Sequence, residues 1–72
     1  MPTLADRLKE LRKSKGLSQR EVGEAIGVNE RNYRRYEAGD SDPAATKVVK
    51  LADFFEVSAD YLLGRSDNPQ QH

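Results

Sequence analysis

Helix-starting and helix-stopping residues recur along this chain so closely that only short helices fit between them. Thr3 opens a segment that Gly16 closes, Ser18 one that Gly27 closes, and Asn29 one, from about Glu30 to Ala38, that Gly39 closes. Thr3 with Asp6 and Ser18 with Glu21 have the form of capping boxes, where each partner satisfies a backbone amide of the other. Inside these limits Leu4, Leu8 and Leu11 recur at helical spacing, and Val22 and Ile26 stand one turn apart. After the loop Gly39-Asp40-Ser41-Asp42-Pro43, Pro43 suits the first turn of a fourth helix, with Ala44, Val48, Leu51, Ala52 and Phe55 on one face. Ser58 opens a fifth, which runs to Gly64. No stretch alternates as a strand would. The fold expected is all-α: a compact cluster of five short helices at varied angles, too short for a long bundle.

With 72 residues, 36% of them hydrophobic, the chain has material for one domain and one small core. We assign residues 1–65 to that domain and 66–72 to a flexible polar tail. No apolar run approaches the length of a membrane span, and neither a leader nor a lipid anchor is expected, so the expected compartment is the cytoplasm. The chain has no cysteine and a single histidine, His72, so the usual nucleophile–base pairs and metal clusters cannot be built. The glycines stand singly, and none forms a phosphate loop. So small a domain offers little cleft. We therefore expect no enzyme, metal, cofactor or small-molecule site.

Charge is neutral in total but uneven in order. Residues 1–20 carry six basic and two acidic side chains, residues 21–37 three and four, and residues 38–72 three and six. An anionic partner would meet the front half.

The second and third helices carry the functional signal. Only Gly27-Val28-Asn29 separates them, the spacing of a helix-turn-helix unit. Gly23 lies inside the second helix at a cost of about 1 kcal/mol relative to alanine, which points to a close neighbour there, with Tyr33 the candidate. On a wheel starting at Glu30, Tyr36, Tyr33 and Glu37 fall near about 240°, 300° and 340°, and Arg34, Arg31 and Arg35 near about 40°, 100° and 140°. The aromatic face suits the core. Arg31 and Arg35, stacked one turn apart, repel each other unless an anion or guanine edges lie opposite. A lone Glu37 on the core side needs a cation.

The ordered set Gly16-Leu17-Ser18-Gln19, Gly27-Val28, Tyr36-Glu37-Ala38-Gly39, Pro43, Leu51-Ala52, Val57-Ser58 and Asp60-Tyr61-Leu62-Leu63-Gly64 resembles the lambda-repressor-like, Cro/Xre-type helix-turn-helix family over roughly Leu4 to Arg65. The resemblance implies a five-helix domain that binds double-stranded operator DNA, as a homodimer on an inverted repeat, in a repressor-type transcriptional regulator. It implies base contacts from Glu30, Arg31 and Arg35, and backbone contacts from Ser18, Gln19, Arg20, Asn29, Asn32 and Arg34. It further implies a salt bridge between Arg12 and Glu37. Departures from the family pattern are Gly23 for alanine, Tyr33 for isoleucine, Ala44 for a capping residue, and the acidic loop Asp40-Ser41-Asp42. The cap lost at Ala44 is expected to pass to Ser41 or Asp42. With the resemblance as motive, Phe54, Tyr61 and Leu63, off the apolar faces of the last two helices, are assigned to the subunit contact. The alternative is a protein-interaction module on the same scaffold, antitoxin-like or an adaptor, which net neutrality and the acidic loop favour.

Overall fold

Every helix in the computed structural model, which describes residues 2–71, begins where a side chain or a bare backbone turn can satisfy its first amides. The helices are α1 (Leu4–Ser14), α2 (Gln19–Ile26), α3 (Glu30–Ala38), α4 (Ala45–Phe55) and α5 (Ala59–Leu62). No strand occurs among the described residues. Thr3 and Ser18 form complete capping boxes with Asp6 and Glu21, and Asn29 and Ser58 cap α3 and α5 from their side-chain oxygens. Each such cap contributes about 1 kcal/mol.

The fourth start departs from expectation. Pro43 does not enter the first turn; α4 starts two residues later, and Ala44 is its N-cap with no side-chain hydrogen bond. Neither Ser41 nor Asp42 takes over the cap. Pro43 is buried, so its ring serves packing instead of helix initiation. The fifth helix also stops earlier than expected, with Leu63 as its C-cap.

All five helices end alike. The amide just after the turn residue that closes the helix reaches back to the carbonyl five residues earlier, in pairs such as Leu17 to Arg12 (3.1 Å), Val28 to Gly23 (2.9 Å) and Asp40 to Arg35 (3.0 Å). These are Schellman closures, whose turn residue adopts a left-handed conformation. Glycine supplies it four times; after α4 it is Glu56, at φ 57°. Gly64 has a second constraint, because a Cβ there would run into the carbonyl oxygen of Pro2.

The core collects Leu8 from α1, Val22 and Ile26 from α2, Tyr33 from α3, Val48, Leu51, Ala52 and Phe55 from α4, and Leu62 from α5. α3 packs against α1 and α2, while α4 packs against α2 and α5. Gly23 sits where α2 meets the turn into α3. A Cβ there would lie 3.0 Å from the Val28 carbonyl oxygen and 3.4 Å from Tyr33 Cβ. The glycine therefore permits both the turn and the seating of Tyr33.

The polar segment 66–71 runs back along α4 and α5. Ser58 N–H donates to the Pro69 carbonyl (2.9 Å), and Gln71 Nε2 donates to Asp53 Oδ1 (2.8 Å). Arg7 Nη2 meets Asp67 Oδ1 at 3.1 Å. Met1 and His72, the far end of the expected tail, lie outside the described residues.

Candidate nucleic-acid interface

A short helix can present one face reliably only if its other face is held. α3 is held by two side chains. Tyr33 is fully buried and meets Tyr36 edge to face, with ring centroids 6.2 Å apart. Glu37, 3% exposed, receives both arms of the Arg12 guanidinium, Nε to Oε2 at 2.7 Å and Nη2 to Oε1 at 3.0 Å. A third arm of Arg12 donates to the Leu17 carbonyl at 3.0 Å. The structure thus brings Arg12 and Glu37 together and ties α1, the α1–α2 turn and α3 in one bidentate contact.

The electrostatics of this pair follow from competing causes. Burial pushes the Glu37 carboxyl up, but the hydrogen bonds and charge of its partners outweigh burial and hold it below the ordinary carboxylate range. Arg12 is held above its ordinary value, chiefly by its hydrogen bond to Glu37. The Tyr33 hydroxyl lies beside the same carboxylate, yet it is buried without a hydrogen-bond partner among the described residues. The donors to Glu37 are therefore Arg12 and Gln19. Burial first, and the neighbouring carboxylate second, push the Tyr33 hydroxyl pKa up.

Gln19 is the residue that sequence reasoning understates. Besides opening α2, its Nε2 donates to Glu37 Oε1 at 3.3 Å, and its Oε1 accepts from Arg34 Nε at 3.4 Å. Arg34 Nη2 in turn donates to Glu30 Oε2 at 2.5 Å. Gln19 bridges the buried pair to the outer face of α3.

On that outer face, Arg31, Asn32, Arg34 and Arg35 are exposed and Glu30 is half-buried. Among the described residues, the side chains of Arg31 and Arg35 make no hydrogen bond or ion pair. The other candidates are partly occupied. The Ser18 and Asn29 side-chain oxygens cap α2 and α3, and Arg20 pairs with Glu24 one turn on, at 3.0 Å. Asp40 and Asp42, beyond the end of α3, are exposed.

Two further cations were not singled out in the sequence. Lys47 Nζ donates to the Ile26 carbonyl at 3.1 Å, so a side chain of α4 closes the C-terminal end of α2. Arg7 is 8% exposed, its guanidinium 3.8 Å above the Tyr61 ring and its Nε without a partner among the described residues. The position of Arg7 within the Leu4–Leu8–Leu11 stripe was the available signal; for Lys47 there was none. Of the residues assigned to a subunit contact, Tyr61 is half-buried beneath Arg7. Phe54 is half-buried against Phe55, with ring centroids 5.1 Å apart, and Leu63 is 41% exposed.

An open groove of about 290 Å³ lies between α4 and α5, lined in part by Val49, Ala52, Asp53 and Ala59; no residue of α3 reaches it. Among the described residues no cluster of three acidic, histidine or cysteine side chains could hold a metal ion. Among the described residues no helix is long and apolar enough to cross a membrane.

Against known proteins, the helix-turn-helix family model matches residues 8–62. The chain belongs to this Cro/Xre-type helix-turn-helix family. It is 41% identical over 63 residues to the uncharacterized HTH-type transcriptional regulator YobD of Bacillus subtilis strain 168, covering 88% of this chain and 56% of that relative. It is 37% identical over 65 residues to the HTH-type transcriptional regulator ImmR of the same organism, covering 90% and 51%. The chain spans about half the length of the curated relatives it matches. The P22 c2 repressor, solved with a synthetic operator, superposes with a TM-score of 0.86 at 23% identity, over 92% of this chain and 100% of that one. A transcriptional regulator from Listeria innocua superposes with a TM-score of 0.83 at 32% identity, over 86% and 58%. Within residues 8–62, α2 and α3 form the helix-turn-helix motif, and the family is one of transcriptional regulators.

Proposed function

We propose that this protein is a sequence-specific DNA-binding transcriptional regulator of the repressor type, acting without catalysis in the cytoplasm, which inserts α3 into the major groove of an operator. The observation that carries the reading is the contrast between the two faces of α3. One is anchored by Tyr33 and Glu37, and the other presents Arg31 and Arg35, which make no hydrogen bond or ion pair among the described residues. Planar guanidinium groups in that position suit the O6 and N7 acceptors of guanine. In this reading Glu30, Arg31 and Arg35 meet base edges. Ser18, Gln19, Arg20, Asn29, Asn32 and Arg34 meet the backbone, through whichever donors their caps and ion pairs leave free. Relatives named as transcriptional regulators, and a cryptic phage CTXphi transcriptional repressor of Vibrio cholerae at 36% identity, support the repressor assignment.

Binding as a homodimer through Phe54, Tyr61 and Leu63 would bring two copies of α3 onto one face of an inverted repeat, with half-sites about 10 base pairs apart. Exposed Leu63 and Val49 support a contact on this side. Selection of bound sites from a random duplex pool, with native mass spectrometry of the selected complex, tests both parts. An inverted repeat bound by two protomers is expected. One protomer on an asymmetric site would refute the dimer. Binding to random duplex should weaken steeply with salt; no binding even at low salt would favour the protein-interaction alternative.

A further inference from the structure

The chain of contacts from Gln19 to Glu30 has a polarity that only one arrangement satisfies. Glu37 can only accept hydrogen bonds and Arg34 can only donate them. A residue between them must therefore turn a donor to one and an acceptor to the other. Gln19 does so with Nε2 toward Glu37 (3.3 Å) and Oε1 toward Arg34 (3.4 Å). Since Glu37 is itself fixed by Arg12, the orientation of the Gln19 amide is set from the interior of the domain.

Arg34 receives that orientation at Nε and passes it on through Nη2 to Glu30 Oε2. An exposed ion pair four residues apart on a helix is ordinarily weak and mobile. Here the second tie, across to α2, restrains the guanidinium, and a planar guanidinium restrained at Nε aims its Nη2 arm in one direction. Glu30, in the first turn of α3, is left with Oε1 free of any partner among the described residues. The adjacent cation also offsets the repulsion that a carboxylate would meet near phosphates.

Resting on the DNA-binding reading above, we propose that Arg34 is a specificity-determining positioning residue: held by Gln19, it orients the Glu30 carboxylate to read the amino group of a cytosine in the major groove. A carboxylate accepts only. Guanine presents acceptors there, thymine an acceptor and a methyl group, and adenine sets an acceptor beside its amino group. Cytosine presents a donor alone.

The test is site selection from a random duplex pool, followed by competition on the selected site and its single-base variants. The proteins are the wild type, Glu30→Gln, Arg34→Ala, Arg34→Lys and Arg31→Ala. Arg34 is exposed, so its variants should melt within a few degrees of the wild type. In each half-site the wild type should select a G·C pair whose cytosine Glu30→Gln converts to adenine, at a position other than the one relaxed in Arg31→Ala. Arg34→Ala should reduce the cytosine preference about tenfold and leave the preference lost in Arg31→Ala intact. Arg34→Lys, which keeps the charge without the planar fork, should keep the salt dependence and lose most of the cytosine preference. The inference is overturned if Arg34→Ala weakens all sites equally with cytosine still selected, or if no selected position responds to Glu30→Gln. Failure of the wild type to bind duplex DNA at low salt is a different result, and overturns the DNA-binding reading together with this inference.

Discussion

Replacing Glu37 with alanine removes the acceptor that holds Arg12, and the structure sets the size of the effect. The Glu37 side chain is 2% exposed and the Arg12 side chain 15%. Breaking one partner of a buried pair costs about 3–5 kcal/mol. Arg12 keeps its bond to the Leu17 carbonyl and some contact with water, so about 3 kcal/mol, the lower end of that range, is expected. Single domains of this length are stable by about 4–11 kcal/mol in all, so the loss is a large fraction. At about 4–8 °C per kcal/mol, Glu37→Ala should lower Tm by about 12–24 °C. Glu30→Ala breaks only a surface pair and should cost about 0.3–0.5 kcal/mol. Thermal melts followed by circular dichroism at neutral pH compare the two, and Arg12→Met/Glu37→Leu, which leaves no stranded charge, should recover most of the loss. Equal, small shifts for Glu37→Ala and Glu30→Ala would refute the reasoning. So would a double variant as unstable as the sum of its single changes.

The same pair sets a pH dependence. The folded-state Glu37 carboxyl titrates below its unfolded value of 4.5, so its stabilisation is complete above about that pH and is lost as pH falls through the folded-state value. Acid melts of the wild type against Glu37→Gln should show the slope in the wild type and a flatter profile in the variant. Arg31→Ala and Arg35→Ala should each cost about 1–3 kcal/mol on the selected site and relax preference at one position, measured by competition binding. Glu56→Gly should raise stability by about 1 kcal/mol in urea unfolding, because Glu56 holds a left-handed conformation that glycine adopts without strain. Gly64→Ala should lose at least about 1–2 kcal/mol in the same assay, from its φ of 80° and the nearby Pro2 carbonyl.

Helix starts at Thr3, Ser18, Asn29 and Ser58 are legible because a capping side chain bonds an amide three residues away, well within reach of a local pattern. The same holds for the ends marked by Gly16, Gly27 and Gly39, where a left-handed glycine closes the helix on itself, whereas Glu56, which closes α4 in the same conformation, carries no such mark in the sequence. The aromatic and arginine faces of α3 follow from helical periodicity alone, and the glycine inside α2 announces a close approach by its cost. Chemistry that depends on where helices meet is not legible in this way. Arg7 and Arg12 add to the basic front half in sequence, but packing takes both inside, so charge counted along the chain overstates charge on the surface. Pro43 has the composition of a helix start, yet tertiary burial takes its ring and α4 begins at Ala45. Lys47 closes a helix 21 residues away, and Gln19 joins a buried carboxylate to an exposed arginine 15 residues along the chain. Caps and turns are decided by hydrogen bonds across three to five residues, which the order of residues specifies directly. The partners of buried charges are decided by which helix faces pack together, and that is settled only when the whole core closes.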